Sequence, residues 1–411
     1  MKRILIIVGI LIAAVAIVVV GMLLRGKSAP PISPSGNLPT GGTLPIATDN
    51  GTGTSDGDGD TGNTSGTGSI GDNGGLPIAG ISVVAQAAVI DYVVNLRGVT
   101  LIASNGAIIS ASSTEAIGQA NFGNILDARF SSDGKWLLVK SGSNDLAVWN
   151  LLDVAKKTWK SIQANTSEMV WSQNGSQLAY LARRTNGNTL NTYTPATGAI
   201  KTLLTLSAPD LRLRWKDASH ILIMDQPSSL VPGTIWDFGM AGGTLTPFVT
   251  NISGAELLWG GSKSGGLLFK AGSTGGDLML VNSGGGTVQS ASFLTLPSKC
   301  VFGESAATST IPDLASYLFC AIPQNQQIIK ERQLPDDYLK GKFSTADALY
   351  AVNLLRGTFT PITPASESFS FDAANLKVYG ENVYFVNRND KKLYRVSLAA
   401  LVASAGPAAG E

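Results

Sequence analysis

The sequence predicts an all-β protein: a β-propeller of seven blades, with six or eight as alternatives, preceded by one N-terminal transmembrane helix. Three observations carry the propeller. First, Phe130-Ser131-Ser132-Asp133-Gly134-Lys135 and Trp171-Ser172-Gln173-Asn174-Gly175-Ser176 are the same hairpin written twice, 41 residues apart, each followed by an apolar run. An aromatic ends one strand, Asp-Gly or Asn-Gly turns the chain, and the glycine accepts a positive φ without a Cβ penalty. Second, Phe130, Trp171, Trp215, Trp259 and Phe302 are spaced 41, 44, 44 and 43 residues apart. A period of about forty residues with a hairpin in each repeat marks a propeller blade. Third, 44% of the 411 residues are hydrophobic and only 14% charged, a balance that suits many buried strands and little polar helix surface.

The chain opens with an expected anchor over residues 1–27. Ile4 to Leu24 is apolar or small throughout, and 21 helical residues span roughly 30 Å, the thickness of a bilayer core. A cleaved signal peptide is the competing reading; its apolar region is shorter, and no small-x-small cleavage site follows. No Lys or Arg occurs between Lys27 and Arg97, so the amino terminus is expected inside and the rest outside. The expected location is the cell membrane, single-pass, with the propeller on the extracytoplasmic side. Gly21 to Ser28 spells a phosphate-binding G-x-x-x-x-G-K-S, but it lacks the strand before and the helix after that such a loop requires.

Residues 28–75 are Gly, Ser, Thr, Pro, Asn and Asp with few apolar residues, and carry a charge of −5. Such a composition cannot offset its ordering entropy and reads as a disordered linker, roughly 35–42 Å end to end. Asp56, Asp58 and Asp60 alternate as in a calcium loop, but Thr61 and Thr67 stand where that loop needs glycine and an acid.

The propeller is expected over residues 78–402, with a flexible tail at 403–411. In blade 1, Asn105-Gly106 predicts a two-residue hairpin between Val99–Ser104 and Ala107–Ala111. Blade 2 covers about 124–163 with Leu146 to Asn150 as its third strand, and blade 3 covers 166–206. Blades 4 and 5 follow at about 209–250 and 253–295. Blade 6 extends to about 363 and blade 7 covers 366–402. A strand near residues 78–86 is expected to pair with blade 7 and close the ring, because an open edge would expose backbone donors.

The turn at Phe130-Ser-Ser-Asp-Gly-Lys and its copy at Trp171 resemble the W/F-S-P-D-G-x turn of TolB-type propeller repeats. Thr194-Pro-Ala-Thr-Gly198 is similar to the D-x-x-T-G turn after their third strand. The resemblance implies an extracytoplasmic propeller that binds proteins or supports enzymes; it covers no catalytic residue. WD repeats carry a Gly-His signature in each blade, and this chain has a single histidine.

That histidine, His220, belongs to no metal or catalytic spacing motif. The net charge of +1 gives no field to recruit nucleic acid. No cofactor is expected. Cys300 and Cys320 fall on adjacent strands of blade 6 and are expected to form a disulfide outside the cytosol; two buried thiols are the alternative. Blade 6 also carries an extra stretch, Pro323 to Thr345, between its second and third strands. Asp336, Asp337 and Tyr338 within it are candidates to meet a partner, since long loops on rigid scaffolds are where binding is placed. The other reading, which the length of the loop favours, is a plug packed over that face.

Together these features predict a non-catalytic scaffold that binds another envelope protein or a cell-wall component. The alternative is a glycan hydrolase or lyase using channel-facing carboxylates, for which Asp127, Glu168, Asp210, Glu256 and Glu304 lie near first strands. Such acids otherwise pair with neighbours such as Arg129 and Arg212.

Overall fold

The computed structural model describes residues 80–401 except 112–115, 144–146, 163–164, 261–264, 274, 305–308, 310, 312, 364–368 and 400. The expected anchor, linker and tail lie outside the described residues. Among the described residues no helix is long and apolar enough to cross a membrane.

Seven four-stranded antiparallel sheets make up the structure. Six of them use four successive strands in chain order. The seventh joins Ala373–Tyr379, Asn382–Asn387 and Leu393–Ser397 to Ile81–Ala85, the first strand of the chain. Ile81 pairs with Val396 and Val83 with Tyr394, so the ring closes within blade 7. Each of the seven junctions between neighbouring blades has its own apolar cluster. The last of these joins Tyr92 and Leu101 of blade 1 to Tyr384 and Leu393 of blade 7. Fully burying such side chains contributes about 1.5–3 kcal/mol each.

The five marker aromatics tie each blade to the one before. The indole N–H of Trp171 donates to the carbonyl of Arg129 at 2.9 Å, and that of Trp259 to Lys216 at 2.7 Å. Trp215 donates to Val170 at 3.3 Å. Phe130 and Phe302 lack a donor and contribute packing alone; a Cβ at Gly260 would lie 2.5 Å from the Phe302 ring.

The repeated turn owes its residues to hydrogen bonding. Ser131 Oγ donates to Asp133 Oδ1 at 2.7 Å, and the amides of Trp136 and Lys135 close on Ser131 Oγ and Asp133 Oδ1. Ser172 and Asn174 repeat the pattern with Gln177 and Ser176. Gly134 and Gly175 sit at φ +69° and +70°. Ser132 Oγ then donates to the Gln173 carbonyl, and Gln173 Nε2 to that of Lys216, so the turns are chained along one rim of the ring.

Two strand expectations are corrected. The blade 1 hairpin has a three-residue loop: Ile102 pairs with Ile108, and the Gly106 amide bonds to the Ala103 carbonyl. The turn centres on Ser104-Asn105, and Gly106 takes the left-handed position that follows it. The third strand of blade 2 runs Val148–Asp153, past the expected end at Asn150, because Leu151 and Leu152 are both buried between neighbouring blades.

Candidate binding site in the axial channel

The first strand of every blade lines the axis, and their alternation decides what faces the channel. Two chambers result. The lower holds about 920 Å³ and is bordered by the first turns of blades 1 to 3, with Arg97, Lys135 and Glu304 at its mouth. The upper holds about 590 Å³ and is walled by residues of six blades, from Arg129 of blade 2 to Asn375 of blade 7.

Most channel charges are committed to one another. Lys377 Nζ meets Asp91 Oδ1 at 2.9 Å and also contacts the Tyr92 carbonyl. Asp91 Oδ2 accepts the Phe130 amide at 2.7 Å. Arg129 lies between two acids, 2.7 Å from Asp127 and 3.0 Å from Glu168. Burial opposes its charge, but the two carboxylates outweigh that and raise its pKa.

Of the five candidate acids, Asp127 and Glu168 are therefore both engaged by one guanidinium. Asp210 is exposed, 3.7 Å from Arg183. Glu304 is exposed at the lower mouth. Glu256 differs: Oε1 accepts the Ser298 amide at 2.8 Å, while Oε2 is buried with no partner among the described residues. Burial pushes its pKa up.

Arg212 and Arg214 face the same chamber from Leu211–Trp215, while Leu211, Leu213 and Trp215 turn into the blade junction. Among the described residues neither guanidinium has a hydrogen bond or an ion pair. Burial lowers the Arg214 pKa, partly offset by the field of Glu256. The sequence marks Arg212 only as a partner for nearby acids, and Arg214 not at all. The available signal was an Arg-x-Arg pair on a first strand, which alternation places on one face.

Cys300 and Cys320 are directly paired across the first two strands of blade 6 and bonded, with Cα atoms 4.1 Å apart. His220 Nδ1 meets Asp217 at 3.0 Å and Ser219 at 3.1 Å within one turn. Both contacts fall on the same nitrogen, so no acid–histidine–nucleophile relay forms. No cluster of metal-ligating residues occurs among the described residues.

The blade 6 insertion lies as a strap over the upper rim. Asp336 Oδ2 accepts the Ser229 amide of blade 4 at 2.6 Å. Gln333 bridges to Gly275 of blade 5. Asp337 pairs with Lys342 at 2.7 Å. Tyr338 is buried, its hydroxyl donating to Asp372 at 2.9 Å. Asp336, Asp337 and Tyr338 are thus engaged within the chain itself. Leu339 is 45% exposed and lines the upper chamber at its mouth. The Tyr338 hydroxyl belongs to a buried cluster that the sequence did not reveal. Lys299 Nζ lies 2.7 Å from Asp347, 2.5 Å from Asp372 and 3.1 Å from Tyr338. Burial, set against the Lys299 charge, pushes the Tyr338 phenol up to about 12.

No protein-family model and no curated protein sequence matches the chain. Solved structures similar to it are propeller proteins of mixed function. Tricorn protease matches at 10% identity and a TM-score of 0.48 over 78% of this chain and 34% of its own, so the chain spans about a third of that protein. An oligogalacturonate lyase in complex with manganese matches at 12% and 0.47, over 75% of this chain and 85% of its own. TolB from Acinetobacter baumannii matches at 11% and 0.34, over 73% and 60%. At such identities none of them carries an activity over to this chain.

Proposed function

We propose that the chain is a non-catalytic binding scaffold, held at the outer face of a membrane by its first residues, whose propeller engages another envelope protein. The observation that supports it most directly is the pairing of Asp127 and Glu168 on Arg129. A hydrolytic pair needs one acid free to protonate a leaving group and another free to act opposite it. Here one cation engages both. The contact surface is the upper face, where Leu230 and Val231 of blade 4 are 74% and 64% exposed beside the strap. Neighbouring apolar side chains left in water on a rigid rim suit a protein partner.

The test is cross-linking and co-purification from solubilised membranes with the full chain. Leu230→Ser combined with Val231→Ser is expected to reduce partner recovery about tenfold, equivalent to ~1.4 kcal/mol. Undiminished recovery would remove that face from the proposal. One observation favours an enzyme instead: Glu256, raised by burial, resembles a general acid. Cleavage of an acidic glycan by the wild-type chain, abolished by Glu256→Gln, would replace the scaffold reading.

A further inference from the structure

Once the committed pairs are set aside, the upper chamber keeps, among the described residues, two guanidiniums with no hydrogen bond or ion pair, Arg212 and Arg214, and one carboxylate oxygen without a partner, Oε2 of Glu256. All three line the upper chamber. The arginines sit at alternate positions of one strand, so their stems start roughly 7 Å apart on the same face. Glu256, on the first strand of the next blade, offers Oε2. Unpaired guanidiniums in a partly dry chamber are the donors that bind a carboxylate in two-pronged fashion.

The wall also limits the charge of the guest. Arg129, Arg212 and Arg214 are matched in number by Glu168, Asp225 and Glu256. A polyanion would meet three acids there, whereas a single negative charge meets the two arginines and little opposition. Among the described residues Glu256 Oε2 has no partner, so it is left to accept a hydrogen bond from a hydroxyl of the guest. A chamber of about 590 Å³ suits a small molecule, and Val170, Leu258 and Leu339 supply apolar wall for its carbon frame.

We propose that the upper chamber is a binding site for a small hydroxycarboxylate, with Arg212 and Arg214 taking the carboxylate and Glu256 Oε2 hydrogen-bonding a hydroxyl. The site is independent of the upper-face contact proposed above. It is reached past Leu339, on the strap. Glu256 serves here as a recognition group.

The experiment is isothermal titration of the full chain in detergent with D-glucuronate, cyclohexanecarboxylate, glucose and inorganic phosphate. D-Glucuronate is expected to bind saturably and about tenfold or more tightly than the other three. Arg212→Gln and Arg214→Gln each weaken it about tenfold, the scale of a lost charge-assisted bond. Glu256→Ala abolishes the preference for glucuronate over cyclohexanecarboxylate. Lys135→Gln, at the lower mouth, leaves binding unchanged. To keep the test independent of any variant's folding, arginine-selective labelling with phenylglyoxal is run on the wild-type chain; glucuronate is expected to protect Arg212 and Arg214. Absence of saturable glucuronate binding, equal binding of glucose or phosphate, arginine variants that bind as wild type, or labelling that glucuronate does not slow would each overturn the proposal.

Discussion

Lys299 Nζ lies 2.7 Å from Asp347 Oδ2, and both side chains are closed to water, at 2% and 0% exposure. They come from the entry to blade 6 and from its third strand, and Asp372, at the entry to blade 7, shares the ammonium at 2.5 Å. A lone buried charge is far costlier than a buried pair. Lys299→Met is therefore expected to destabilise the propeller by about 3–5 kcal/mol, measured by urea denaturation. A loss below about 1 kcal/mol would show that the cluster is dispensable.

Acid should act on the same cluster through Asp372. Burial works against its ionisation, but Lys299, with Arg388 beyond it, prevails and holds its pKa below the usual carboxylate range. A depressed folded pKa stabilises fully above the unfolded value, about 3.9, and the contribution is lost as pH falls below that. Asp347 is pushed the other way by burial, as expected when two acids divide one ammonium. The urea midpoint is expected to drop on acidification below about pH 4, and Asp372→Asn should flatten that drop. An Asp372→Asn profile parallel to wild type would exclude the assignment.

Trp215 tests the staple between blades. Trp215→Phe keeps the ring and deletes the donor to the Val170 carbonyl, so about 1 kcal/mol should be lost. Trp215→Ala removes the packing as well and should cost about 3–5 kcal/mol. Equal losses in the two variants would mean that the hydrogen bond, rather than the ring, holds the junction.

Gly260 is a steric counterpart. A methyl group there would meet the Phe302 ring at 2.5–2.8 Å. Gly260→Ala is expected to cost about 1–3 kcal/mol, and Phe302→Leu in the same chain should recover part of it. Additive losses in the double variant would dismiss the contact.

The disulfide closes a loop with a sequence separation of 20. Loop entropy predicts about 3 kcal/mol from such a link. Replacing both Cys300 and Cys320 by Ala should lower the denaturation midpoint accordingly, and reductant should then have no further effect.

The repeat was legible because its signals are local, and the closure because an open edge strand would leave backbone donors unpaired. Ser131, Asp133 and Gly134 satisfy one another within a single turn, so spacing and residue type suffice to find the blade. Trp171 and Trp215 keep the period because each reaches the carbonyl one residue before the marker aromatic of the preceding first strand. The third strand of blade 2 was misjudged because Leu151 and Leu152, both buried, show no alternation to mark where the strand ends. The channel was less legible. Which guanidinium is neutralised depends on radial distances between blades, so Arg129 and Arg214 look equivalent in sequence and differ only in the ring. The Lys299 cluster draws its partners from 39 to 74 positions away, beyond any local pattern.

Blade 7 takes its outermost strand, Ile81–Ala85, from the front of the propeller and the other three from its back. Tension applied through the residues ahead of Ile81 would run along this strand and act on the seam with Leu393–Val396. Those paired backbone groups would share the pull in shear and delay its passage to the other six blades. The place where the circle is fastened is thus also the first place where it would give.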